Sequence, residues 1–321
     1  MRQCRRPALA VALLVAAGGA GAQQYPQKPI RMLAISAPGG GTDLLARTYS
    51  QGMADALGQT IVIDNKPGGG GIIATETLAK SQPDGYTLLM TNTSHSVLPS
   101  LHKKLPYDVL KDFAPVSLVA LTHSLLLVHP SMPVKSVKDL IAMAKAKPGQ
   151  LLYASTGNGG SPHLATEMFK QQANIDITHI PYKGTPPAVT DLIAGQVSMM
   201  FANTLSVLPY VNSGRLRALA ISSIKRSAAA PSLPTIAESG MPGFDSVTWF
   251  GLLAPTGVPR EAINRLNPEL RRIVQSKALA DLLIAQGADP IGSSAEEFAA
   301  RIKADIAKFT VIIKTAGVRA E

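Results

Sequence analysis

I-R-M-L-A-I-S-A-P-G-G-G-T-D-L-L-A-R, residues 30–47, takes an apolar β-rich run, breaks it with three glycines and then opens a helix. L-L-Y-A-S-T-G-N-G-G-S-P-H-L-A-T-E-M-F, residues 151–169, does the same. A strand–glycine–helix junction presents backbone N–H groups at the positive end of a helix, which suits an anion. Two such junctions predict two lobes that grip a small anionic molecule between them.

The rest of the chain extends this pattern. Strand-like runs are expected at 30–36, 60–64, 86–91, 125–129, 151–155, 178–182, 197–201, 216–222 and 250–254, with helical patterns between many of them. Alternation of this kind predicts an α/β architecture with mostly parallel sheets. Helix starts are marked at Ser136 with Asp139, Ser161-Pro162, Thr185-Pro186 and Ser294 with Glu297; Gly58 and Gly214 mark stops. Residues 125–223 carry their own strand–helix succession, so the expected layout is one lobe (23–124 with 224–321) interrupted by a second (125–223). The crossings near 120–125 and 223–228 would act as hinges.

Hydrophobic residues make up 46% and charged residues 16%, a globular rather than disordered composition. Arg2, Arg5 and Arg6 precede the apolar run 8–17, and Ala20-Gly21-Ala22 fits a small-x-small cleavage site. This reads as an export leader, residues 1–22, removed near Ala22. The apolar run is too short to span a bilayer. Cys4, the sole cysteine, falls in the leader, so a mature chain would hold no thiolate site or disulfide. Without the leader, 28 basic residues face 21 acidic ones, a net +7 that either favours anionic partners or is ordinary surface charge. No basic block with interleaved aromatics suggests nucleic acid.

Pro38–Asp43 is the first candidate binding segment. Gly39, Gly40 and Gly41 let a backbone approach a ligand, Thr42 can cap the helix, and Asp43 favours its start while pairing with Arg47. The loop lacks the lysine of a P-loop and the last glycine of G-x-G-x-x-G, which argues against nucleotides. In the second junction Gly160 and Ser161 face the same task, Ser161 as both cap and contact. His163 falls in the first helical turn, either as a contact or as a packing residue. Lys183 and Gly184 precede a proline-started helix, with the Gly184 backbone favoured over the Lys183 charge as a ligand wall. Thr93 and Asn203 follow strands where open α/β sheets bind ligands. The glycine run 68–71 is read as structural first.

Signs of catalysis are weak. Ser161 and His163 stand two apart without a nucleophile elbow, and the six histidines show no metal-ligand spacing, so no catalytic residue, cofactor or metal is expected. A secreted hydrolase or transferase using Ser161 and His163, and a sensory module presenting ligand to a membrane kinase, are the rival readings.

These segments together resemble the Bug family, the substrate-binding proteins of tripartite tricarboxylate transporters. The likeness rests on Y-P-Q-K-P-I-R (25–31), P-G-G-G-T-D-L-L-A-R (38–47), N-K-P-G-G-G-G (65–71), P-D-G-Y-T-L-L (83–89), Y-A-S-T-G-N-G-G-S-P-H-L-A (153–165), P-Y-K-G-T-P-P-A (181–188) and P-T-I-A-E-S-G-M-P-G (234–243). It covers essentially the whole mature chain. It implies a monomeric periplasmic Venus-flytrap protein (type II, two α/β lobes) that captures a small carboxylate and hands it to permease subunits in the membrane. It further implies contacts from Gly39, Gly40, Gly41, Thr93, Ser155, Ser161, His163 and Asn203, partly through backbone groups and water. Ser36-Ala37 stand where the family often has proline or a bulky residue, and Lys66 where it often has arginine.

Overall fold

The computed structural model describes residues 25–317, apart from Lys183 and Ala229 and the side chains of Leu205 and Ala316. The expected leader and Cys4, like Lys183, lie outside the described residues.

The first half of the chain gives β1 (Ile30–Ala34), α1 (Gly41–Leu57), β2 (Ile61–Asn65), α2 (Ile72–Ala79), β3 (Thr87–Asn92), α3 (Ser94–Leu101) and β4 (Phe113–Val128). Then follow α4 (Val137–Ala146), β5 (Leu152–Ser155), α5 (Ser161–Ala173), β6 (Thr178–Pro181), α6 (Thr185–Ile193), β7 (Met199–Asn203), α7 (Thr204–Asn212) and β8 (Arg217–Ile221). The chain closes with β9 (Val247–Pro255), α8 (Arg260–Val274), α9 (Lys277–Ala285), β10 (Ala288–Pro290) and α10 (Ala295–Ala316).

Period-two alternation sets the layers of the first lobe. Ile30, Met32, Leu88, Met90, Leu252 and Ala254 face α1 and α8 through Tyr49, Met53, Leu266 and Leu270. Their neighbours Leu33, Leu89, Trp249 and Leu253 face the opposite way, onto Leu78 of α2 and Phe298 and Ile302 of α10. The sheet is therefore buried on both faces. The Phe298 ring fits only because Gly251 has no side chain: a Cβ there would lie 2.2 Å from Phe298 Cζ. The second lobe repeats the plan. Leu126, Tyr153, Met199 and Phe201 pack on Leu140 and Phe169 of α4 and α5. Leu125, Leu127, Met200 and Ala202 pack on Val189 and Leu192 of α6 and on Val207 of α7.

The outer pairings, β1 with β2 and β3 and β5 with β6 and β7, are parallel as expected. The middle is not: β4 pairs antiparallel with β7, β8, β9 and β10, and β9 pairs antiparallel with β3. The sheets are thus mixed rather than mostly parallel. The reason is directional: β4 carries the chain out of the first lobe and β9 carries it back, so the two must run opposite ways. β4 is one 16-residue strand whose first part belongs to one sheet and whose last part belongs to the other.

Residues 223–246 do not return at once to the first lobe, because Ile236, Met241 and Phe244 sit in the second lobe's core. The passage back occurs at Ser246–Val247. Three buried or half-buried serines tie the strands there: Ser124 N–H donates to Ser222 Oγ (2.9 Å), Ser222 N–H to the Ser124 carbonyl (2.9 Å) and Ser246 N–H to the Ser222 carbonyl (2.8 Å).

Candidate functional site

A cavity of about 710 Å³ lies between the lobes, within the usual range for small-molecule sites. The first lobe supplies Gly69, Gly70, the start of α3, Thr248 and Phe309; the second supplies residues 156–161, Leu164, Pro181 and Tyr182.

The start of α3 is held firmly. Asn92 Oδ1 accepts the Ser94 N–H at 2.9 Å, fixing the turn. Thr93 Oγ1 accepts the Trp249 N–H at 2.9 Å and Thr93 N–H donates to the Trp249 carbonyl at 3.2 Å, pinning the loop to β9. Ser94 lines the cavity, and its Oγ is buried with no hydrogen-bond partner among the described residues.

Facing it is the start of α5. Gly160, not Ser161, is the residue that begins this helix, so Ser161 is its first helical residue rather than its cap. The Ser161 hydroxyl instead meets Thr248 Oγ1 across the cleft at 3.1 Å. Gly159 adopts φ +71°, and a Cβ there would lie 2.9 Å from Leu101 of the other lobe, so the loop needs glycine for conformation and for contact. The Gly159 N–H donates to His163 Nδ1 at 3.0 Å. Beneath the loop, His163 stacks on His179 (4.1 Å between centroids) and His179 on Tyr153 (4.7 Å). Burial first, and the neighbouring His179 second, push His163 down to about 4, which keeps its ring neutral and able to accept the Gly159 hydrogen bond. Burial also lowers His179. The Tyr153 hydroxyl donates to Glu167 (2.5 Å), which pairs with Lys170 (2.9 Å). His163 is therefore a buttress of the loop, 6% exposed, and does not line the cavity.

The sequence-predicted residues divide accordingly. Thr93, Gly160 and Ser161 line the cavity; Gly39, Gly40, Gly41, Thr42, Asp43, Ser155, His163, Gly184 and Asn203 do not. Ser155 is buried, hydrogen-bonded to His179 Nε2 at 2.6 Å. Gly184 precedes α6 with φ +106°. Asn203 Nδ2 donates to Thr122 Oγ1 at 2.7 Å near the hinge.

In the first glycine loop the Gly39, Gly40 and Asp43 N–H groups and the Thr42 hydroxyl already have acceptors within the loop and its surroundings. Gly40 precedes α1, so Thr42 is not the cap. The Thr42 hydroxyl donates to Ser36 Oγ at 2.7 Å, which also accepts the Asp43 N–H at 3.2 Å. The Asp43 carboxylate accepts the Gly39 N–H (2.8 Å), Asn65 Nδ2 (2.9 Å) and Arg47 Nε (3.0 Å). This junction carries its own anion. Burial pushes the Asp43 carboxyl up, but the hydrogen bonds from Arg47, Gly39 and Asn65 outweigh it and hold it below the usual range.

Sequence reading missed the Gly69–Gly70 loop as a wall, and the apolar lining of Val97, Leu98, Leu101, Leu164 and Phe309. The glycine run was visible, but its partner α3 was not yet in place beside it.

The Ser161 and His163 side chains share no hydrogen bond: one bonds Thr248, the other accepts from Gly159. Among the described residues no cluster of three or more His, Cys, Asp or Glu side chains is placed to hold a metal ion. No helix of the described residues is long and apolar enough to cross a membrane.

The sequence profile of the tripartite tricarboxylate transporter family receptor matches residues 45–318. The chain belongs to this family. BugT of Bordetella pertussis is 39% identical to this receptor over 300 residues, 93% of this chain and 92% of BugT. The solved structure of R. palustris Rpa4515 with adipate is 35% identical, with a TM-score of 0.80 over 92% of this chain and 99% of that one. The periplasmic binding protein BugD is 33% identical, with a TM-score of 0.76 over 92% of this chain and all of BugD. The family is one of receptors, and the two-lobe fold is that of its solved members.

Proposed function

We propose that this protein is a periplasmic receptor that binds a small carboxylate in the interlobe cavity and delivers it to membrane permease subunits. One observation carries the reading: the starts of α3 and α5, from opposite lobes, meet at one cavity. The helix dipole favours negative charge there; at α3 the Ser94 and Ser96 N–H groups already donate to Asn92 Oδ1 and the Thr93 carbonyl, so the dipole and the Ser94 hydroxyl, more than those amides, are what α3 offers. No Lys, Arg, Asp or Glu is among the described lining residues, so hydroxyl and backbone donors, with the His102 imidazole, carry the recognition, and Ser94 Oγ is still to be satisfied. The likeness to a relative solved with adipate supports the same class of ligand.

On this reading the lobes divide at about Ser124 and Ser246, and closure bends the strands between them. The protein acts as a monomer, uses no cofactor, metal or nucleic acid, and catalyses nothing. Its leader is cleaved near Ala22, so N-terminal sequencing of the exported protein should begin at Gln23.

Calorimetric titration with mono-, di- and tricarboxylates tests the central point. At least one should bind, and Ser94→Ala should weaken it roughly tenfold or more, the loss of one hydrogen bond to a charged group. No binding by any of them would end the reading.

A further inference from the structure

The cavity changes character along α3. Thr93 and Ser94 at its start are polar, whereas Leu98 and Leu101 further on are apolar. At about 1.5 Å per residue, Leu101 stands roughly 10 Å along the helix from Ser94. Leu164 of α5 and Phe309 of α10 extend the apolar wall, and both are nearly buried. A second carboxylate pushed to this end would be stripped of water beside hydrocarbon, with no Lys or Arg among the described lining residues and only the His102 imidazole after Leu101 to meet it.

We propose that the cavity selects acids with a single negative charge and an apolar body, aliphatic or aromatic. The carboxylate sits at the starts of α3 and α5, and the body lies against Leu98, Leu101, Leu164 and Phe309. The inference rests on the cavity being a carboxylate site, and adds the class of carboxylate it prefers over small polyanions.

The test is calorimetry on the wild-type protein with butanoate, hexanoate, octanoate and 4-methylbenzoate, against citrate, malate and adipate. Affinity should rise about fourfold for each methylene added to the aliphatic chain. Citrate, malate and adipate should bind at least about tenfold more weakly than octanoate or 4-methylbenzoate. Leu101→Ser, half-exposed in the wild type and checked for an unchanged melting transition, should flatten the chain-length dependence and leave butanoate nearly unaffected. A flat series, or malate, citrate or adipate binding more tightly than the apolar acids, overturns the inference while leaving the receptor reading intact. An unchanged slope in a folded Leu101→Ser protein overturns the placement of the body. Binding by none of these acids overturns the receptor reading and the inference with it.

Discussion

Replacing Asp43 with alanine separates two roles for the first glycine loop. If the loop's donors waited for a ligand, losing Asp43 would change binding first. The structure gives Asp43 a different task, because its carboxylate is 1% exposed and accepts from Gly39, Asn65 and Arg47. Hydrogen bonds to a charged group contribute about 1.5–3 kcal/mol each when buried. Gly39 and Arg47 are exposed enough to recover water, so they count at the low end. Asn65 keeps its bond to the Ser36 carbonyl (2.9 Å) and loses one of two. About 1.5 kcal/mol for each of the three bonds, with about 0.3–1 kcal/mol for a negative charge in the first turn of α1, gives a total near 5 kcal/mol. That corresponds to a melting temperature lower by about 8–10 °C. The assay is thermal and urea unfolding of wild type and Asp43→Ala, followed by ligand titration at a temperature where both are folded. Affinity should stay within about twofold, since Asp43 does not line the cavity. The pH dependence has a definite sign. The folded carboxyl sits below its ordinary value of 3.8, so its contribution is present above that pH and is lost as the solution is acidified below it. The stability gap between the two proteins should therefore shrink below about pH 4. A variant that melts like wild type but loses ligand more than tenfold would refute the reasoning.

Three more outcomes are expected. His163 and His95 are both pushed down to about 4 from 6.5, chiefly by burial, so the unfolded chain takes up protons first; their contribution to stability should be lost as pH falls from 6.5 toward 4, and His163→Asn should reduce the slope over that range in urea titrations. Trp249, the one tryptophan, donates its buried indole N–H to Asp305 at 2.8 Å, so Trp249→Phe should cost about 2–4 kcal/mol in urea unfolding; a loss under 0.5 kcal/mol would contradict that role. Gly159→Val forces a branched side chain into φ +71° and against Leu101, so the lobes should stand further apart in small-angle scattering and affinity should fall; an unchanged radius of gyration with normal affinity would refute the close approach.

The two junctions read alike in the sequence, but only the second lines the cavity. Gly157–Ser161 before α5 reached the cavity as its pattern implied, because its helix start looks across at the other lobe. Pro38–Asp43 has the same pattern, yet its acceptor is its own Asp43, a pairing visible only when Asn65 and Ser36 fold against it. Two-lobe α/β architecture followed from the alternation of strands and helices. The length of β4 did not, because Pro115 within Phe113–Val128 argues against a strand interior; the structure accommodates it where the register with β9 shifts. β10, three residues ending in proline, is too short to signal itself. The apolar wall was hidden for a different reason. Val97, Leu101, Leu164 and Phe309 each read as ordinary helix core, and only the approach of three helices from distant parts of the chain turns them into a surface.

The uninterrupted β4 has a mechanical consequence. A receptor whose halves were joined by loops could be cut, swapped or freely swivelled at those loops. Here the joint is a strip of hydrogen-bonded ladder, so any swing stores elastic energy in backbone pairs and is released as recoil. Engineers seeking one half as a stand-alone sensor would have to sever a strand through its middle, leaving a raw edge on each fragment.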